Sequence, residues 1–227
     1  MNTATTVLTW LKREGSAKGR ADMTRYAIPN DRAFGVAMGV LKQEAKAIGT
    51  DHALAASLWE TGWYEARTLA VFVDDPALVT ADQMERWVAD FDNWAICDTA
   101  CFSLFDRTAH AWDKVDAWAG AEPEFVKRAA FALIWSLSAH DKAAPDARFQ
   151  HALTLIAGAA DDGRNFVKKG VDMALRAVGK RNPALHAAAL TTARTLAESD
   201  NTTRRWIGRK AVRELDSDKV RARLGPR

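Results

Sequence analysis

The chain has 227 residues, 48% of them hydrophobic, with nine tryptophans, two tyrosines and a formal net charge of +3. That length suits a single cooperative unit with a sizeable core, and no apolar run approaches the roughly 18 residues needed to cross a bilayer. The charge is uneven: residues 161–227 hold 16 Lys and Arg against 8 Asp and Glu, a net of +8, which leaves −5 for residues 1–160.

A basic last third favours a polyanionic partner, although solvated helix faces account equally well for the same charges. Met1-Asn2-Thr3-Ala4-Thr5 lacks the charged and then apolar pattern of a secretory leader. Cys97 and Cys101 sit four apart in one helical segment. That spacing fits neither a disulfide framework nor a zinc site, so a reduced, cytoplasmic setting is expected.

In chain order, Phe34, Ala37, Met38, Leu41, Ala45 and Ile48 fall on one stripe and predict a helix over 33–49, closed by Gly49. Asp51 is a candidate cap for the next helix, with Leu54, Leu58 and Trp59. Thr80 and Gln83 read as a capping box that opens Thr80–Ala89. Asp92 or Asn93 opens the helix carrying Trp94 and Asp98. Glu122–Ala139 is apolar on nearly every side, which predicts a helix buried in the middle of an array. His140-Asp141-Lys142 ends it in solvent. Further helices fit 146–159, 163–179, 183–198 and 201–214.

No segment alternates with a period of two, so the expected fold class is all-α. Paired, the helices give units near 33–73, 80–118, 122–159 and 163–198, each about 36–41 residues and close to the HEAT-type period. A closed bundle is the competing architecture, but twelve or so short helices are too many for a simple one. A solenoid forming one domain over 1–227 is therefore expected.

Four groups of residues carry possible chemistry. Positions 97, 100, 101, 104 and 105 form an apolar stripe, with Trp94 and Asp98 one turn apart on its edge. A partly desolvated acid there must pair, shift its pKa or serve a ligand; pairing with a neighbouring helix is the plainer alternative. Arg128 lies among apolar neighbours and needs a phosphate or a carboxylate, Asp98 or another acid. Positions 165, 169, 172, 173 and 176 share a face that carries Asn165, Lys169, Met173 and Arg176, beside Lys168, Lys180 and Arg181. Such a face suits a phosphate backbone. Arg204, Arg205, Arg209, Lys210 and Arg213 form a fourth, C-terminal basic group. No nucleotide-binding glycine loop, HExxH or GxSxG is present, and the five histidines are not at metal-ligand spacing. No metal and no cofactor is expected.

Trp94-x-x-x-Asp98, then Arg128 in Val-Lys-Arg-Ala-Ala, then Phe166-Val-x-Lys169 and Ala174-Leu175-Arg176, in this order and spacing, resemble the AlkD-like DNA alkylation repair family. Met23-Thr24-Arg25-Tyr26 and Phe34-Gly35-Val36 resemble its N-terminal portion. The likeness runs from about residue 23 to 213. It implies a right-handed superhelical solenoid of HEAT-like repeats with a concave basic cleft. It also implies a glycosylase that removes N3- and N7-alkylated purines from double-stranded DNA. By this resemblance Asp98 is the catalytic carboxylate with Trp94 beside it. Tyr26, Arg128, Phe166, Lys168, Lys169, Met173 and Arg176 would meet the DNA. A monomer is expected, with no membrane partner, cytoplasmic and nucleoid-associated when on DNA.

Two positions depart from the family: its second cleft tryptophan directly precedes Ala-Leu-Arg, where this chain has Met173, and a neighbouring aromatic position is Asn165, before Phe166. A non-catalytic module that binds bent or damaged DNA, or a protein partner, is the alternative. The chemistry itself asks little of the protein. An alkylated purine is cationic and leaves neutral, so no general acid is required. The oxocarbenium-like sugar needs a nearby anion and a positioned water, both of which Asp98 can supply.

Overall fold

In the computed structural model the described residues run from Thr3 to Gly225. Met1 and Asn2, part of the stretch read above for a leader, lie outside them, as do Pro226 and Arg227. Fourteen α-helices, one 3-10 turn and no strand are found among the described residues. They fall into two compact units, one up to His110 and one from Ala111 onward. No helix is long and apolar enough to cross a membrane among the described residues.

The first unit contains α1 (Ala4–Glu14), α2 (Ala17–Arg25), α3 (Met38–Ile48), α4 (His52–Glu60), α5 (Tyr64–Val73), α6 (Ala81–Ala89) and α7 (Trp94–Ser103), followed by the turn Phe105–Arg107. Helix α5 packs between α3 and α7 and pairs with α4. The stripe predicted on α7 is its buried face: Cys97, Ala100, Cys101, Leu104 and Phe105 are all fully buried. Helix α6 docks through Trp87, whose ring stacks on Trp59 of α4 at 4.0 Å. Asp90 ties the same joint, accepting from Trp59 Nε1 at 2.8 Å and from Arg67 Nη2 at 2.9 Å.

The helix predicted over 33–49 begins only at Met38. Residues Phe34, Gly35 and Val36 instead wrap around Glu65 of α5, which is completely buried. Its carboxylate accepts from Phe34 N at 2.9 Å, Gly35 N at 2.7 Å and Val36 N at 3.2 Å. Three amide bonds to one carboxylate outweigh the one further helical turn that the apolar stripe suggests. Gly35 meets this path with φ +81°, and a Cβ there would lie 2.3 Å from the Ser16 carbonyl oxygen. The capping box at Thr80 is also half formed. Thr80 accepts from Gln83 N at 3.1 Å, but the Gln83 amide donates to buried Asp74 at 2.7 Å. Asp51 caps α4 as expected, and of the two candidates before α7 it is Asn93 that caps it, accepting from Ala95 N and Ile96 N.

The second unit contains α8 (Ala111–Ala119), α9 (Glu124–His140), α10 (Asp146–Gly158), α11 (Asn165–Val178), α12 (Pro183–Ala197), α13 (Thr202–Leu215) and α14 (Asp218–Leu224). Helices α9, α11 and α13 lie side by side, while α8 pairs with α9 and α12 with α13. They start at Glu124, Asn165 and Thr202, a spacing of about 40 residues that matches the HEAT-type period. The predicted pairing grouped α9 with α10 and α11 with α12. The structure instead packs α8 against α9 and α12 against α13, with α9 and α11 the most extensively packed pair. A Cβ on Gly208 of α13 would sit 2.2 Å from Ala197 N and 2.6 Å from the Ala193 carbonyl oxygen. Helix α9 is buried through most of its length, as its composition predicts.

Asp162 fastens α9 to the start of α11. Its carboxylate accepts from Arg164 Nε at 3.0 Å and Nη2 at 2.6 Å and pairs with Lys127 Nζ at 3.1 Å. The Arg164 hydrogen bonds hold the Asp162 carboxyl well below the usual carboxylate range, Lys127 adding to the effect against the cost of burial.

Two stability measurements follow from this packing. Gly208→Ala forces α12 and α13 apart and lowers the unfolding free energy by about 1–3 kcal/mol, read by urea denaturation. Asp162→Asn loses roughly 1–3 kcal/mol at pH 7. Since folding depresses this carboxyl, its contribution is complete above the unfolded value of about 3.9 and fades as pH falls below it. The gap between wild type and Asp162→Asn therefore closes in acid; a gap that persists unchanged to pH 2 or so contradicts the assignment.

Candidate nucleic-acid interface

In the first unit the site residues gather at the start of α7. Trp94 is its first residue, half-buried, set by the Asn93 cap. Its indole Nε1 donates to the Tyr26 carbonyl oxygen at 2.8 Å, joining positions 68 apart in sequence. Tyr26 ends α2, and the chain turns at Ala27 with φ +53°, a left-handed conformation rare for a residue with a Cβ. The Tyr26 side chain is left 63% exposed. Asp98 lies one turn beyond Trp94, half-buried on the edge of the buried stripe. Burial pushes the Cys101 thiol well above its ordinary value, with Cys97 and then the Asp98 charge adding to it. Asp98 is therefore electrostatically close to the core it borders. Nearby, burial and the charge of Glu65 push the Tyr64 phenol up to about 12.

In the second unit Arg128 of α9 is 3% exposed. Its Nη1 donates to the Phe166 carbonyl oxygen at 2.7 Å, on the first turn of α11. Glu124 accepts from Phe166 N at 3.1 Å, and the Phe125 and Phe166 rings meet at 5.3 Å. Arg128 thus fixes the position of α11. Along α11, Asn165 and Lys169 are exposed, and Lys168 is half-buried with its ammonium 4.9 Å from the Trp206 ring centroid.

Asp172, one of the positions on the predicted phosphate-facing side of α11, is fully buried. It accepts from Arg176 Nη2 at 2.8 Å and Nε at 3.1 Å, and from Lys210 Nζ of α13 at 2.8 Å. Arg176 also pairs with Glu214, which takes Lys180 as well. The Arg176 charge is therefore shared between two carboxylates, which raise its pKa against the opposing effect of burial. Met173 and Arg176 line a cavity of about 620 Å³.

The reading of the sequence missed two residues here. Trp206 is 38% exposed on α13. Lys168 and Lys210 stand 4.9 and 4.7 Å from its ring centroid, and it lines a groove with Arg205, Arg209, Lys210 and Arg213. Its setting in Arg-Arg-Trp-Ile-Gly-Arg-Lys was a legible signal, an aromatic among cations. The i, i+4 pair of Asp172 and Arg176 was another, pointing to a tied rather than a free arginine. Among the described residues no cluster of His, Cys, Asp and Glu could hold a metal ion.

Among solved structures, the chain is similar to a protein described as one of a new family related to the HEAT-like repeat DNA glycosylases with affinity for branched DNA structures. The match has a TM-score of 0.82 at 21% identity, over 99% of this chain and 97% of that one. It establishes the HEAT-like repeat fold. The likeness to a designed armadillo repeat protein is weak: TM-score 0.34 and 14% identity, over 78% of this chain and 92% of that one. No curated protein sequence matches the chain. The family model of the DNA alkylation repair enzymes matches residues 7–215. The chain belongs to the DNA alkylation repair enzyme family.

Proposed function

We propose that the protein is a DNA glycosylase that hydrolyses the N-glycosidic bond of cationic N3- and N7-alkylated purines in double-stranded DNA. The observation that carries this reading is the grouping at α7: Asp98 one turn from Trp94, and Trp94 bonded to the main-chain carbonyl of Tyr26, whose side chain is exposed. An aromatic ring, an indole and a carboxylate at one helix end suit a deoxyribose that becomes positive.

The glycosidic bond breaks with its electron pair going to the purine, which leaves neutral. Asp98 faces the oxocarbenium-like sugar as a carboxylate and orients the water that adds to C1′, whose proton passes to solvent. The ring face of Trp94 contributes about 0.5–2 kcal/mol to the same cation. Tyr26 gives further aromatic surface in the first unit, and Phe166 offers a DNA-contacting ring in the second. Lys168 and Lys169 hold flanking phosphates from the start of α11, which Arg128 positions, and Arg176 meets the DNA from its last turn, held by Asp172 and Glu214. Both units serve one DNA-engaging domain over 1–227, a monomer working in the cytoplasm on nucleoid DNA.

Two measurements test this. Release of 7-methylguanine or 3-methyladenine from methylated duplex is expected from wild type and falls about 10²–10³-fold in Asp98→Asn. Equal release by both proteins removes Asp98 from the mechanism. Lys169→Ala weakens duplex binding alike for all sequences and lowers the slope of log affinity against log salt by about 1; an unchanged slope takes Lys169 out of the phosphate contacts.

A second reading is a module that binds bent or branched DNA without excision. It is favoured by Met173, where the family's second cleft tryptophan stands, and by the branched-DNA affinity described for the structural relative. Salt-dependent binding with no base release selects it.

A further inference from the structure

The cavity that holds Met173 lies wholly within the second unit, between the C-terminal halves of α9 and α11 and α14. Its volume, about 620 Å³, lies within the range of small-molecule sites. Its wall has two kinds of surface. Trp135, Ala139, Met173, Ala177 and Leu224 are apolar, while Lys142, Arg176, Lys180, Arg181 and Arg223 are cationic, and no acid lines it.

Several of these cations are held in place. Arg176 and Lys180 are fixed by Asp172 and Glu214 behind them. Arg181 donates to the Ala144 and Ser138 carbonyl oxygens at 3.1 and 3.3 Å, its guanidinium 4.2 Å from the Phe149 ring centroid. Those partners neutralise nothing, so Arg181 keeps its full charge. Lys142 and Arg223 are exposed, and no carboxylate pairs with either among the described residues.

A preorganised cationic wall selects an anion and spends no side-chain entropy on ordering. A bare phosphate leaves the tryptophan and methionine surface unused, and an apolar ligand leaves the charges unused. A base joined to its phosphate uses both: aromatic and thioether surface against the base, guanidinium and ammonium groups on the phosphate. A paired base enters only at the cost of unstacking and unpairing, which an already unpaired base does not bear.

We infer that this cavity binds one unpaired nucleotide of DNA, at a single-stranded flap or branch, and so steers the protein to interrupted duplex. The inference rests on the reading that the protein binds DNA, and the test separates the two.

Binding is compared between a blunt duplex and the same duplex with a single-stranded flap, at one low salt concentration. The proteins are wild type, the double variant Lys142→Glu/Arg223→Glu, and Lys169→Glu as a change outside the cavity. Wild type is expected to prefer the flapped duplex. The double variant loses about tenfold or more on that substrate and about twofold or less on the blunt one. Lys169→Glu weakens both substrates equally. Equal losses on both substrates in the double variant, or no preference in wild type, overturn the cavity assignment while DNA binding stands. If wild type binds neither substrate, the DNA reading itself fails and the assignment with it. A second readout does not depend on charge reversal. The Trp135 indole proton resonance, identified by its loss in Trp135→Phe, shifts on titration with a single-stranded deoxyadenosine oligomer. A resonance unmoved when the oligomer saturates wild type overturns the proposal.

Discussion

Helices of 7 to 17 residues hold little structure in water by themselves, and every other feature here depends on how neighbouring helices are fastened together. Apolar burial supplies most of the cohesion, through the Trp59–Trp87 stack in the first unit and the buried length of α9 in the second. The geometry of the joints is set by carboxylates. Glu65 gathers three amides of the irregular stretch before α3, Asp90 joins α4 to α5, Asp162 joins α9 to α11, and Asp172 joins α11 to α13. Each acid has several donors, which is what makes the full burial of Glu65 and Asp172 tolerable.

These joints reshape the electrostatics of the chain. The basic last third is less available than its net charge suggests, because Arg176, Lys180 and Lys210 are drawn onto Asp172 and Glu214. Cations tied in this way are fixed in position, and fixed charge serves recognition better than mobile charge of the same sign. Lys168, Lys169, Arg209 and Arg213, with the Trp206 ring among them, remain the outward-facing part of that charge.

At the other site residues, position comes from the main chain. Trp94 owes its setting to the Asn93 cap on one side and to the Tyr26 carbonyl on the other. Arg128, which the family resemblance assigns to the DNA backbone, is turned inward onto the Phe166 carbonyl. Under the proposed function its influence on a bound duplex runs through the placement of α11.

By itself the sequence determined the all-helical class, the boundaries of most of the helices it delimited within two or three residues, the buried stripe of α7 and the one-turn spacing of Trp94 and Asp98 on its edge. All of these depend on local periodicity, capping and i, i+4 spacing, which are properties of one helix at a time. The order of its short motifs also carried the family. Only the tertiary structure decided that α3 starts at Met38, that α8 pairs with α9, that Asp172 is buried and takes Lys210 of α13, and that Trp135 and Arg223 share a cavity. Those outcomes turn on which donors reach a carboxylate from a distant segment and on where a glycine lets two helices close, and neither distance is written in the spacing of residues along one helix.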